Sequence, residues 1–207
     1  QLIVKEDGII AGVDVDRDVF TKLDPKVEFE KLIDDGTPVK KGDIVFKVRC
    51  TTRTLLMAER LVLNLMQHMS GIATLTNECV KQIEGTEATI ADTRKTLPGL
   101  RSLQKYAVTC GGAKNHRYNL SDCAMLKDNH IDACGSITKA VEKVREKLGH
   151  MVKIEVETRN LDEVAEALST GVEVIMLDNM DCETMKRAVE MTNGKALLEA
   201  SGNITDE

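Results

Sequence analysis

The sequence predicts an α/β fold: a small α+β region, with an open sheet and one long helix, followed by a series of strand–helix units. Three observations lead there. Between residues 2 and 50, stretches such as Val27-Glu28-Phe29-Glu30 and Ile44-Val45-Phe46-Lys47-Val48 alternate apolar and polar side chains, the period of a half-buried strand. From Thr54 to about Ile83 the period lengthens to that of a helix. Beyond Gly85, short apolar runs and amphipathic helices take turns, and such units build a parallel sheet, open or closed into a barrel.

In the first region, Gly8, Gly36 and Gly42 mark the turns, and no residue pattern suggests chemistry. The first residues already read as strand, so the chain is expected to begin partway through a domain. The long helix carries Leu55, Leu56, Leu61, Val62, Leu65, Met66, Met69 and Leu75, more than a single apolar stripe. It is therefore expected to be buried on most sides, in a core or at a subunit interface. Gly71 costs that helix about 1 kcal/mol relative to Ala, which predicts a close approach of another backbone there. Glu59 and Arg60, set among apolar neighbours, read as an internal ion pair. The domain boundary is placed at residue 70, giving regions 1–70 and 71–207.

In the second region the apolar runs are 88–91, 123–126, 152–156, 172–177 and 196–198, and the helices are 136–149, 160–171 and 182–194. Ser136 is placed to cap the first helix, and Asn160 with Glu163 has the spacing of a capping box. Gly149, Gly171 and Gly194 are the expected stops. Each apolar run gives way to polar residues: Asp92-Thr93-Arg94-Lys95, Lys127-Asp128-Asn129-His130, Glu157, Asp178-Asn179, and Glu199 with Ser201-Gly202-Asn203. Alone, Asp178-Asn179 reads as a helix cap. Five such clusters in succession point to an enzyme site, because sites in barrels and open α/β sheets lie at the carboxyl ends of the strands. The final SGNITDE reads as a strand–turn entering a helix, whose N–H groups could receive a phosphate.

Composition narrows the function classes. Aromatic residues make up 2% of the chain and the formal net charge is -6, which argues against stacking platforms and nucleic-acid backbones as partners. The six cysteines include no CxxC pair and read as reduced thiols, no apolar run is long enough to span a membrane, and the start does not resemble a signal peptide. A cytoplasmic protein is expected. Against the acidic background, residues 92–130 hold seven Lys or Arg (Arg94, Lys95, Arg101, Lys105, Lys114, Arg117, Lys127) with His116 and His130, and only three acids. Such an island reads as a solvated basic face or as a holder of a small multivalent anion, for which guanidinium groups are suited by their paired donors. Pro98-Gly99 and Gly111-Gly112 divide the island, so its charges converge only if several loops meet.

The segments TRKTLPGLRSLQKYAV, GGAKNHRYNLSD and MLKDNH, in this order within forty residues, closely resemble the quinolinate phosphoribosyltransferases of NAD biosynthesis. The resemblance runs from about Leu2 to the last residue. It implies a TIM-like α/β barrel, incomplete here because the family's last barrel strands are expected beyond Glu207; the polypeptide as given is expected to be inactive or nearly so. It implies transfer of a ribosyl phosphate from phosphoribosyl pyrophosphate to quinolinate with loss of carbon dioxide. Arg94, His116, Arg117 and Lys127 are then the residues that hold the two quinolinate carboxylates, with Arg60 reaching in from a partner subunit of a homodimer or larger homo-oligomer. Lys95 corresponds to the lysine facing the phosphoribosyl donor, and Ser201, Gly202 and Asn203 to part of its phosphate cradle. Glu157 and Asp178 correspond to carboxylates near the ribose and its Mg²⁺, so Lys95, Lys127, Glu157 and Asp178 form the implied catalytic set. The sequence departs from many relatives at Gly111-Gly112-Ala113, where a third glycine is common. Two other readings stay open: a phosphoribosyltransferase of the same fold acting on nicotinate or another aromatic carboxylate, and a non-catalytic paralogue. Retention of Arg94, His116, Arg117 and Lys127 together favours a dicarboxylate substrate.

Overall fold

A computed structural model describes residues 1–205, which fall into two units, Gln1–His116 and Arg117 onward. The first unit contains β1 (Leu2–Ile3), β2 (Gly8–Ile9), α1 (Val13–Leu23), β3 (Glu28–Lys31), β4 (Pro38–Val39), β5 (Ile44–Arg49), α2 (Thr52–Gln82) and α3 (Arg101–Cys110). Antiparallel strands in the order β1-β5-β3 form one sheet, and β2 pairs with β4. Opposite β3 and β5 residues match in charge on the wet face, Glu28 with Arg49 and Glu30 with Lys47. On the other face Phe29 and Phe46 lie 4.5 Å apart between centroids, with Phe20 of α1 tilted against Phe29 and edge-on to Phe46.

Helix α2 starts where Thr51 accepts the Thr54 N–H at 3.1 Å, a side-chain cap. Within this chain it buries one stripe, Ala58, Val62, Met66, Met69 and Ala73, at i, i+4, i+8, i+11 and i+15. Burial on most sides in a core of this chain is not what the structure has: Leu55, Leu56, Leu61 and Leu75 are exposed. Glu59 and Arg60 are exposed as well and form no ion pair among the described residues, which corrects the internal-pair reading. Nor is Gly71 the point of close approach, since a Cβ built there meets nothing within 4 Å. That role falls to Gly111, where a Cβ would sit 2.5 Å from both the Ala73 carbonyl oxygen and Thr76 Cβ of α2. Residue 70 lies inside α2, and the run 88–91 expected as a strand makes only a parallel bridge, Ala91 to Lys114.

The second unit holds β6 (Ala124–Leu126), α4 (Asp128–Cys134), α5 (Ile137–Arg145), β7 (Ile154–Thr158), α6 (Leu161–Thr170), β8 (Val174–Asp178), α7 (Cys182–Thr192) and β9 (Leu197–Ser201). The strands are parallel and follow chain order, β6-β7-β8-β9. Leu126, Ile154, Val156, Ile175 and Leu177 from one face of the sheet pack with Ile137, Ala140 and Val141 of α5, Val164 and Ala167 of α6, and Ala188 of α7. A parallel sheet with its helices gathered on one face is the arrangement that curls into a barrel. Ser136 and Asn160 cap as expected, accepting from Lys139 N and Glu163 N. The capping box is altered: the Glu163 carboxylate takes the Arg159 N–H instead of the Asn160 N–H. Gly171 ends α6 in the left-handed region, and Asn193 with Gly194 ends α7, whereas α5 stops at Arg145, short of Gly149.

Candidate functional site

In the first unit the polar cluster after residue 91 is held from beneath. Arg101 and Lys105 share α3, while Arg94, Lys95, Lys114 and His116 lie in loops, so the basic island is not one helical face. Lys105 has 1% of its side chain exposed and its ammonium pairs with Asp92 and donates to the His116 carbonyl at 3.1 Å. Asp92 Oδ1 also accepts the His116 N–H at 2.8 Å. Arg94, half-buried, has its Nε enclosed with no hydrogen-bond partner. An enclosed charged donor without an acceptor is costly unless an anion arrives to meet it. Lys95 is exposed, with its backbone N–H turned to Thr93 Oγ1. Arg60 is exposed on α2 between Leu56 and Leu61, both also exposed.

In the second unit the expected residues collect at the carboxyl ends of adjacent strands. Side-chain alternation sends Ile154 and Val156 of β7 into the helix-covered core, so Glu155 and Glu157 lie on the other face; Asp178 of β8 and Glu199 and Ser201 of β9 share it. Lys127, the N-cap of α4, forms an ion pair with Glu157. Arg117 points one guanidinium nitrogen at Met125 Sδ, 3.1 Å away, and makes no ion pair among the described residues. Asp178, Asn179, Gly202 and Asn203 form a single polar group. Asn179 Nδ2 donates to Asp178 Oδ2 at 2.7 Å, its Oδ1 accepts from Asn203 Nδ2 at 2.8 Å, and its backbone N–H reaches the Ser201 carbonyl at 2.8 Å. Asn179, Gly202 and Asn203 all have positive φ, and a Cβ at Gly202 would overlap the Asn179 amide. The helix-cap reading of Asp178-Asn179 is therefore wrong: α7 is capped by Asp181, which accepts the Thr184 N–H at 2.7 Å. That bond and its neighbours hold the Asp181 carboxyl below the usual carboxylate range. The described part of the final turn, to Thr205, contains no helix, and Asp206 and Glu207 lie outside the described residues.

Two features escaped the reading of the sequence. Glu155 is buried and accepts from the Cys123 thiol at 3.7 Å; burial first, then this carboxylate, pushes that thiol's pKa up. Its signal was present, because Glu155 and Glu157 are two apart on one strand and must share a face. The Asp92–Lys105 pair, by contrast, joins residues thirteen apart through a fold that no local pattern announces.

Residues 1–70 match the family described as quinolinate phosphoribosyl transferase, N-terminal domain, and residues 72–207 match its C-terminal domain. The chain belongs to the quinolinate phosphoribosyltransferase family. Among the family's members, a probable nicotinate-nucleotide pyrophosphorylase (carboxylating) of Synechocystis is 48% identical over 206 residues, covering 98% of this chain and 70% of the relative. The Bacillus subtilis protein of the same description is 44% identical over 207 residues, 100% of this chain and 72% of its own. The crystal structure of NadC from Streptococcus pyogenes superposes with a TM-score of 0.95 at 43% identity, covering 99% of this chain and 72% of that one. With that likeness, the one-sided parallel sheet is read as part of a TIM-like barrel preceded by the α+β region. The six cysteines are free thiols, and no helix among the described residues is long and apolar enough to cross a membrane.

Proposed function

We propose that this protein transfers the ribosyl phosphate of phosphoribosyl pyrophosphate to the ring nitrogen of quinolinate and releases the adjacent carboxylate as carbon dioxide, giving nicotinate mononucleotide and pyrophosphate. What carries the reading is membership of the family along the whole chain, residues 1–70 and 72–207 matching its two domains. The ring nitrogen forms the new bond to the anomeric carbon as the bond to pyrophosphate breaks. Once that nitrogen carries the ribose it is cationic, so the electron pair left by departing carbon dioxide rests next to a positive charge until a proton replaces it. The anomeric carbon becomes positively charged during transfer, and carboxylates near the ring favour that state.

Arg94, His116, Arg117 and Lys127 are assigned to the quinolinate carboxylates, and the unpartnered Arg94 Nε supports an anion at that group. Lys95 is assigned to the donor, Ser201, Gly202 and Asn203 to its phosphates, and Glu157 and Asp178 to the ribose and to Mg²⁺. The two acids suit that ion. Both offer hard oxygens on the same sheet face, Glu157 engages Lys127 through Oε2 and Asp178 engages Asn179 through Oδ2, which leaves a second oxygen of each, among the described residues, for a cation. Mg²⁺ is held best by one or two carboxylates together with substrate phosphates, and when bound it offsets charge on the leaving pyrophosphate. The exposed Leu56 and Leu61 flanking Arg60 support a homodimer in which Arg60 serves the neighbouring subunit. Unbridged cysteines fit a cytoplasmic setting.

The test is titration calorimetry with quinolinate and with nicotinate, coupled to detection of nicotinate mononucleotide when donor and Mg²⁺ are added. Quinolinate should bind at least tenfold more tightly, because nicotinate leaves a carboxylate's worth of positive charge unmet. Equal or tighter binding of nicotinate would transfer the assignment to the nicotinate-type reading.

A further inference from the structure

We infer that Asp92 and Lys105 are positioning residues for quinolinate: a buried ion pair that sets the orientation of His116 without touching substrate. The inference rests on the reading of His116 as a quinolinate ligand given above. Its physical basis is where the pair's hydrogen bonds go. The Lys105 ammonium, carried up from α3, meets Asp92 and the His116 carbonyl, and the Asp92 carboxylate takes the His116 N–H. Both backbone polar groups of His116 are thus bonded to the same two charges, one on each side of its Cα. With its amide nitrogen facing them, Asn115 adds donors to Asp92 Oδ2 at 2.6 Å and to the Lys105 carbonyl at 2.9 Å. The backbone completes the clamp: Lys114 N–H bonds the Ile90 carbonyl at 2.9 Å, and Asp92 N–H bonds the Lys114 carbonyl at 3.1 Å.

Stability alone does not explain a charged pair at this place. Lys105 and Asp92 have 1% and 8% of their side chains exposed, and buried ion pairs can commonly be replaced by apolar groups of similar volume without loss of stability. What apolar groups could not do is hold one residue's N–H and C=O at once. Fixing both peptide planes fixes the direction of the Cα–Cβ bond, and so where the imidazole can reach. Asp92 also stands two residues before Arg94, so the same anchor begins the loop that carries the enclosed Arg94 Nε. A ligand group already held in its binding geometry loses less entropy on binding, which is how a residue out of contact contributes to affinity.

The experiment uses the Asp92→Asn/Lys105→Met double variant. Asparagine still accepts the His116 N–H and methionine fills the lysine stem, but methionine cannot replace the lysine's donation to the His116 carbonyl. Expected are a thermal midpoint near that of the wild type, a quinolinate affinity about tenfold weaker, and a donor affinity within about twofold. In steady state this should appear as a raised KM for quinolinate with a smaller change in kcat. Quinolinate affinity unchanged in the folded variant, or equal losses for quinolinate and donor, would overturn the inference. Amide hydrogen exchange in the unmodified protein reads the same clamp without any substitution: the His116 N–H should exchange as slowly as the amides of α3, and exchange at the rate of an open loop would overturn it. Failure of the unmodified protein to bind quinolinate at all would instead strike the functional reading itself and remove the ground for this one.

Discussion

Asp16 offers a sharp test of the electrostatics of the first unit. It lies on α1 with no exposed surface, and neither carboxylate oxygen has a hydrogen-bond partner. Burial, and secondarily the negative charge of Asp35, push its pKa up from 3.8 to about 8. Asp35 acts here as the charged acceptor, receiving Val13 N–H and Tyr106 O–H, each at 2.9 Å. In the folded protein Asp16 therefore keeps a proton that the unfolded chain has already lost above about pH 4. Unfolding releases that proton throughout this window, so the group's contribution falls as pH rises, by about 1.4 kcal/mol per unit, and levels off above about pH 8. Asp16→Asn keeps the size and cannot ionise. Any fixed cost of burying an amide is the same at every pH, and titrations elsewhere cancel in the comparison with wild type. Urea unfolding of both proteins at pH 5.5 and 7.5 should show the variant gaining on wild type by about 2–3 kcal/mol over the two units. A stability difference that does not change with pH would refute a protonated Asp16.

On the proposed roles, Lys127→Ala and Arg117→Ala should each weaken quinolinate about tenfold to a hundredfold, through loss of a charge-assisted hydrogen bond of about 1.5–3 kcal/mol, with thermal unfolding little changed; near-native affinity by calorimetry would remove them from the site. Gly202→Ala places a methyl on the Asn179 amide at a backbone with φ 78°, and should raise the KM for phosphoribosyl pyrophosphate more than that for quinolinate. Gly111→Ala drives a methyl into Ala73 and Thr76 and should cost about 1–3 kcal/mol in denaturant unfolding. Arg60→Ala and Arg117→Ala proteins should each be inactive alone, yet regain about a quarter of wild-type activity after subunit exchange, since about half the dimers become hybrids with one intact site; no recovery would place Arg60 in the site of its own chain.

Much of the second unit was legible because its signals are local. Ser136 and Asn160 lie three residues from the N–H groups they cap, and apolar residues at helical or alternating spacing must share a face. The strand-end clusters were found for the same reason, and Lys127, Glu157, Asp178 and Ser201 do follow one another across neighbouring strands. Taken alone, Asp178-Asn179 resembled a cap, and the succession of strand-end clusters argued against it; in the structure Asp181 stands closer to the helix and takes the N–H.

By itself the sequence determined the strand–helix alternation of the second unit from residue 136 on, the family and the identity of the motif residues, because these depend on side-chain type and short-range spacing. Only the tertiary structure decided that Gly111 rather than Gly71 is the close contact of α2, and that Asp16 is buried without a partner. It alone decided that Asp92 and Lys105 converge on His116. Each of these is a meeting of residues far apart along the chain, governed by how helices and loops close on one another. Burial then turns the meeting into energy, since a methyl, a carboxylate or an ammonium that would cost little in water becomes decisive where no solvent can adjust.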